Sequence, residues 1–299
     1  MQLTFLGTSC MVPTKERNVS AVFLSFKTEG ILFDCGEGTQ RQMNIAGIKR
    51  TSVTKVLISH WHGDHVSGLV GLIQTMGNDE IPPNLEIFGP RGTEEHMEHL
   101  MKMCDFESRV NLKIYEIDVD GVEKVFDGED FIIEAAPLNH SSPCIGYSFI
   151  EKDRWKIDMA LLKKMGVPEG KHLQPLQEGK SIEWKGNKID AEKVTSMVKG
   201  KKISYIMDTA MCSPAITLAK DSDILICESA YASDLEEKAR LHRHLTGKQA
   251  GMIANNANVG RLYLMHFSQR YKSAKEIEED AKDVFSKTEA AHDFMKVKL

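Results

Sequence analysis

The stretch KVLISHWHGDHVSGL, Lys55 to Leu69, carries an apolar run that ends abruptly in three histidines and an aspartate within six residues. Val56, Leu57 and Ile58 form a short, β-branched-rich run that reads as a buried strand, while Val66, Leu69, Val70, Ile73 and Met76 recur at helical spacing. His60 to His65 therefore read as a strand-to-helix loop, the place where α/β folds set their chemistry because a rigid sheet positions side chains that the loop leaves accessible. Borderline and hard divalent cations take imidazole nitrogen and carboxylate oxygen, and the pattern HxHxDH puts four such groups within reach of only one or two metals. Two metals is the natural reading. The bland alternative is a solvated loop rich in histidine, but with 11 histidines in 299 residues such clustering is rare by chance.

Working outward, 299 residues with 41% hydrophobic content are enough to bury a sizeable core in one large domain or two small ones. The opening MQLTFLGTSCMVP lacks a basic region followed by a long apolar run, and no window approaches the length needed to span a bilayer. A soluble, cytoplasmic protein without a membrane partner is expected. Cys10, Cys35, Cys104, Cys144, Cys212 and Cys227 form no CxxC pair and read as reduced, small core residues rather than metal ligands. The net charge of −5 argues against a nucleic-acid partner, but its distribution reverses that inference. Residues 151–202 hold 13 Lys and Arg against 8 Asp and Glu, and the remainder 25 against 35. A basic segment on an acidic body attracts a polyanion locally.

Along the chain, residues 2–6, 21–26 and 30–34 read as an opening β-meander, with the polar loop PTKERN, Pro13 to Asn18, between the first two strands. FDCGEGTQRQM, Phe33 to Met43, reads as a strand, an acidic turn and a helix. The helix over Arg91 to Met103 carries His96 and His99 on one face, which we take as solvated. His140 lies in the Ser- and Pro-rich loop of PLNHSSPC between two strands. The basic segment 151–202 reads as an insertion projecting from the sheet domain, with too few apolar residues for a core of its own. Asp208 follows the strand KISYIM, where a carboxylate has two oxygens with which to bridge a pair of cations. Glu228 ends the strand DILICE, and HRHLT supplies His244; a carboxylate that orients and charges an imidazole makes a competent general acid. His242, two residues away, is assigned to the surface. His266 ends the strand GRLYLM, and a charged amphipathic helix over Ser273 to Phe285 follows.

HxHxDH is the signature of the metallo-β-lactamase superfamily, and with PxKxRN, the MDTAM segment, the HxT histidine and the last strand's histidine the chain resembles ribonuclease Z, a family of tRNA 3′ processing endonucleases. The likeness runs from the first strand to the last helix. It implies an α/β, metallo-β-lactamase-like four-layer αββα sandwich, a single domain over 1–299 with residues 151–202 inserted as a tRNA-binding arm. One metal would take His60, His62 and His140, the other Asp64, His65 and His266, with Asp208 bridging. Two Zn²⁺ per subunit are the default for such donors, with Mn²⁺ or Fe²⁺ also admitted. Asp34 would support the metal loop through a histidine's other ring nitrogen. Asp64 would orient the attacking water, and His244, held by Glu228, would protonate the leaving oxygen. The resemblance further implies a homodimer and precursor tRNA as substrate, with Lys15, Arg17 and Asn18 near the tRNA 3′ end. In the arm, Gly170, Lys171 and His172 replace the family's GPxxG-like hand, and Lys171 is among the candidate contacts. Met207 stands where glycine is usual. Rival readings are a small-substrate phosphodiesterase of the same fold, which has no need of a basic arm, and a non-catalytic RNA-binding member, which sits poorly with a full ligand set. A diiron oxidoreductase is disfavoured because that branch puts a carboxylate where His62 stands.

Overall fold

Phe5 and Leu6 are adjacent and both fully buried. Successive residues of a strand point to opposite faces, so both faces of this sheet are covered. The computed structural model describes residues 1–78 and 83–299, and it divides them into two compact units. The larger consists of Met1–Phe126, Ile133–Phe149 and Lys202–Leu299.

Its first sheet has seven strands in the spatial order Lys296–Lys298, Gln2–Gly7, Ala21–Phe26, Glu29–Phe33, Lys55–Leu57, Asn84–Pro90 and Asn111–Ile117. The second has Thr288–Ala290, Leu262–Met265, Ile224–Glu228, Lys202–Ile206, Ile145–Glu151, Phe131–Pro137 and Glu123–Asp127. On the outer face of the first, Leu6, Leu32, Val56 and Ile87 pack with Met43, Leu69, Leu72, Met76 and Met97 from three helices. On the outer face of the second, Ile206, Leu225, Leu262 and Leu264 pack with Ala215, Ile253, Ala254 and Ile277. The inner faces meet through aromatic pairs: Phe5 with Tyr263 at 5.7 Å between ring centroids, Phe33 with Tyr205 at 5.1 Å and Phe26 with Phe149 at 5.1 Å. Each buried ring contributes roughly 1.5–3 kcal/mol of apolar transfer. Helices, two sheets and helices make the four αββα layers.

Within the first sheet Glu29–Phe33, Lys55–Leu57 and Asn84–Pro90 run parallel, as do Lys202–Ile206, Ile224–Glu228 and Leu262–Met265 in the second. Their carboxyl ends carry Asp34, the HxHxDH loop, Asp208, Glu228 and His266. The strand before the loop stops at Leu57, and His65 lies in a short helical turn, Gly63–Val66, ahead of the helix Leu69–Met76. Two glycines let the FDCGEG and HxHxDH loops touch: a Cβ on Gly36 would fall 2.3 Å from the Asp64 carbonyl, and one on Gly68 2.2 Å from that of Gly36. The final helix, Lys275–Lys282, is shorter than its charge pattern suggests. Among the described residues no helix is long and apolar enough to cross a membrane.

The smaller unit, Asp127–Ile132 with Ile150–Lys201, corrects one expectation. It does have a core: Leu162, Val167, Leu173, Leu176, Ile189, Ala191 and Val194 are buried together, with Ile157, Leu161, Ile182 and Trp184 against them. These residues come from short pieces, including two-stranded ladders pairing Arg154–Ile157 with Thr195–Val198 and Ile182–Trp184 with Asn187–Ile189. No piece is long enough to show a period, so an apolar count along the sequence understates what the turns bring together. Gly179 takes φ +72° against the Trp155 indole, where a Cβ would approach Nε1 to 2.6 Å.

Candidate metal centre

Asp34, Asp208 and His266 leave their strands at φ of 55°, 45° and 62°. Non-glycine residues rarely adopt this left-handed conformation, and it persists where surrounding contacts over-determine it. Here the turn at each strand end swings a side chain inward, and the seven metal candidates converge as two donor sets.

In one set the donor atoms are Asp64 Oδ2, His65 Nε2, His266 Nε2 and Asp208 Oδ1. His65 Nε2 is 3.3 Å from His266 Nε2 and 3.4 Å from Asp64 Oδ2, which is 3.4 Å from His266 Nε2. Asp208 Oδ1 lies 3.5 Å from His65 Nε2 and 3.2 Å from His266 Nε2. Donors about 2.0–2.1 Å from a tetrahedral cation stand about 3.3–3.4 Å apart, so this set fits a divalent ion. The other set comprises His60, His62, His140 and Asp208. Its Asp208 Oδ2 is 3.5 Å from His60 Nε2 and 3.8 Å from His140 Nε2, which is 3.3 Å from His62 Nδ1. Each oxygen of Asp208 thus faces one set.

Donor orientation is fixed from behind. Asp34, fully buried, accepts from the Ser59 backbone N–H at 2.7 Å, the Ser59 hydroxyl at 2.8 Å, the Tyr205 hydroxyl at 2.8 Å and His65 Nδ1 at 2.7 Å. Because the Ser59 hydroxyl donates to Asp34, its oxygen accepts from His60 Nδ1 at 3.0 Å. Both imidazoles therefore keep a proton on Nδ1 and turn Nε2 toward the donor sets. Among the described residues, His60 Nε2 and Asp208 Oδ1 are buried without a hydrogen-bond partner, a costly state that a cation relieves. Asp64 Oδ2 accepts from the backbone N–H of Met11 at 2.7 Å, itself at φ 61°.

Electrostatics point the same way. Burial lowers the basicity of His60, and its neighbour His65 adds to that. For His65 and His266 burial acts in the same direction, but carboxylates, Asp208 foremost, outweigh it and hold them well above the ordinary range. Burial raises Asp64 and Asp208, yet the surrounding imidazoles drive both well below the usual carboxylate range. The cluster holds positive charge between carboxylates, which is the place a divalent cation takes when it displaces those protons.

Beside the donors, Glu228 Oε1 lies 3.0 Å from His244 Nδ1, while the carboxylate also accepts from the backbone N–H of Thr209 at 2.8 Å and of Leu245 at 3.2 Å. Burial pulls His244 down, but Glu228 outweighs it and its pKa is pushed up to about 9. The site opens into a cleft of about 720 Å³ whose wall includes His62, Asp64, His140, Asp208 and His244, with Cys10, Met11, Tyr231, Lys238 and Arg270. His242 is exposed and lines this cleft. Of the PTKERN loop, Lys15 is exposed, whereas Arg17 donates to the Tyr271 carbonyl at 2.9 Å and Asn18 Nδ2 to that of Glu37 at 2.7 Å. Lys171 is exposed in a short turn of the smaller unit. Sequence reasoning missed Ser59, Tyr205, Met11 and Arg243; only Ser59, adjacent to His60, and Arg243, adjacent to His244, carried a local hint.

Two sheets between helical layers, with histidine and aspartate donors at the strand ends of both, define a protein of the metallo-β-lactamase fold. Human tRNase Z, short form, superposes with a TM-score of 0.74 at 28% identity over 100% of this chain and 99% of that one. The sequence is 38% identical over 300 residues to ribonuclease Z of Methanothermobacter thermautotrophicus, covering 100% of this chain and 97% of the relative. It is 37% identical over 303 residues to ribonuclease Z of Archaeoglobus fulgidus, with the same two coverages. A family model described as anti-Pycsar protein Apyc1 matches residues 1–134. The chain belongs to the ribonuclease Z family.

Proposed function

We propose that the chain is a metal-dependent endoribonuclease that removes the 3′ trailer from precursor tRNA. The observation that carries this reading is a pair of donor sets sharing Asp208, set beside a Glu228–His244 pair in an open cleft. His60, His62 and His140 would hold one cation and Asp64, His65 and His266 the other, with Asp208 shared between the two sets. Two Zn²⁺ suit the nitrogen and oxygen donors, with Mn²⁺ or Fe²⁺ as the other candidates. When bound, the cations neutralise charge developing on the phosphoryl oxygens and make water acidic enough to attack.

The chain's own residues supply the rest. Asp64, fixed by the Met11 N–H, orients the attacking water. The Glu228 carboxylate engages Nδ1 of His244, so Nε2 delivers the proton to the departing 3′ oxygen. The P–O3′ bond breaks, leaving a 3′ hydroxyl on the tRNA and a 5′ phosphate on the trailer.

The smaller unit acts as the tRNA-binding arm, with Lys171 among its contacts. Lysine-to-phosphate contacts read no sequence, which suits an enzyme that accepts many tRNAs. Lys15, Arg17 and Asn18 border the path of the 3′ end. The family likeness supports a homodimer acting in the cytoplasm.

End-mapped cleavage of a precursor tRNA with a 3′ trailer tests this, using the wild-type chain and a variant lacking residues 155–198, each with a simple aryl phosphodiester as control. Cleavage after the acceptor stem, lost on deletion while ester hydrolysis survives, is the expected result. Intact precursor with a hydrolysed ester would transfer the assignment to a small-substrate phosphodiesterase of the same fold.

A further inference from the structure

We infer that Arg243 is a positioning residue that seats His140 of the first donor set and, through the same turn of chain, the neighbouring His244. The inference rests on the reading of His60, His62, His140 and Asp208 as one cation site.

Arg243 closes the helix Glu236–His242 in the left-handed conformation, φ 55°, and its N–H bonds back to the Arg240 carbonyl at 3.3 Å. Glycine is the usual residue at such a helix end, because it bears no Cβ. Backbone geometry therefore does not explain an arginine here, but its side-chain contact does, beside a second contact made by its backbone. The guanidinium donates to the backbone carbonyl of His140, and the Arg243 carbonyl lies 3.3 Å from His140 Nδ1. A carbonyl only accepts, so His140 must carry its proton on Nδ1. Its Nε2 is then a bare donor, 3.3 Å from His62 Nδ1 and 3.8 Å from Asp208 Oδ2.

The two residues thus bond reciprocally, ring to backbone and side chain to backbone, across 103 positions of sequence. His140 sits on a loop between strands, and unlike His65 directly or His60 through Ser59 it is not tied to Asp34, whose donors among the described residues are Ser59, His65 and Tyr205. Arg243 fills that role for it. The next residue, His244, is held by its own N–H to the Ala239 carbonyl at 2.9 Å and by Glu228, and its ring lies 5.4 Å from that of His140.

Glycine and lysine at this position separate backbone from side chain. Arg243→Gly keeps the turn and relieves its strain but removes the guanidinium; Arg243→Lys keeps a charge without the planar fork. Metal-stripped wild type, R243G and R243K would be titrated with Zn²⁺ against a chromogenic chelator, melted without metal, and assayed for precursor tRNA cleavage. Outer partners of metal-ligating histidines change affinity by about 10–100-fold, and because R243G keeps the carbonyl on His140 Nδ1 the lower end applies. The expected result for R243G is an unchanged or raised melting temperature without metal, about tenfold weaker binding at one of two Zn²⁺ sites, and a lower kcat at similar KM, with R243K between.

Two Zn²⁺ bound by R243G as tightly as by wild type would overturn the inference, whatever its melting temperature. So would a loss of metal-free stability with both affinities intact, which marks a merely structural residue. If R243G fails to fold, the Zn²⁺ affinities of R243K decide. A wild type that takes up fewer than two Zn²⁺ would instead sink the site reading on which the inference stands.

Discussion

The two donor sets share Asp208 but are held in different ways. Asp64, His65 and His266 converge with separations of 3.3–3.4 Å to one another, the two imidazoles lie 3.2–3.5 Å from Asp208, and both are fully buried. Behind them stands Asp34 with four donors of its own. In the other set His62 is only half-buried, His140 comes from a loop, and the Asp208 to His140 separation widens to 3.8 Å. A site whose ligands are buried and held from behind loses little entropy on binding, whereas one with a loop-borne and a half-exposed ligand must order them. Two chemically similar sets on one fold are therefore expected to differ in affinity, the buried one being tighter.

The largest effect comes from the residue both sets share. Asp208→Ala removes the carboxylate proposed to bridge the cations, and with it several kcal/mol of charge stabilisation, so cleavage should fall on the order of 10⁴-fold or more. Metal content after dialysis checks the cause: both ions should be depleted, and retention of one at wild-type affinity would show that Asp208 serves a single set. Glu228→Gln should cost about 10²-fold near neutral pH, the lower end of what general acids contribute. Its signature is in the pH profile. In the proposed role His244 works protonated, and burial, Glu228, Asp208 and His266 together place its pKa at about 9, so wild-type activity should decline as pH rises through that value. Without the Glu228 charge the decline should begin at lower pH. A profile that stays put in E228Q would remove His244 from the acid's role.

Stepwise chelation addresses the comparison directly. One ion should leave at least about tenfold faster than the other, since second-rank ligand support is worth about 10–100-fold in affinity. In His62→Ala the fast phase should vanish while the slow one is unchanged. A single phase in the wild type would mean that the geometric difference between the sets has no energetic counterpart.

The part of this site that could be read from the sequence is the part compressed into short strings. His60 to His65 crowd four ligands after an apolar run, and Asp208, Glu228 and His266 each close a run of buried residues, so strand ends and chemistry coincide. What could not be read acts across distance. Tyr205 meets Asp34 over 171 positions, Arg243 meets His140 over 103, and Met11 meets Asp64 over 53 through a backbone N–H to which its side-chain identity contributes nothing. The core of the smaller unit was hidden for a related reason: Leu162, Leu176 and Ile189 lie on three separate short elements. In both cases the deciding contact joins pieces that carry no mutual signal along the chain.

Tyr205→Phe is the smallest of these perturbations and the sharpest test of why the buried set is tight. The ring would stay packed on Phe33, so the volume between the sheets is kept, and only the 2.8 Å bond to Asp34 Oδ2 is lost. Asp34 would retain three donors, and the loss of one bond is worth about 1 kcal/mol, or about fivefold in an equilibrium. If the Asp34 network sets affinity, that fivefold should appear chiefly at the tight Zn²⁺ site, because His65 bonds Asp34 directly while His60 does so only through Ser59. Isothermal titration of the metal-stripped variant would resolve the two sites. Equal weakening at both would mean that Ser59 transmits the Asp34 charge as effectively as direct contact does, and the contrast between the sets would then rest on the loop that carries His140.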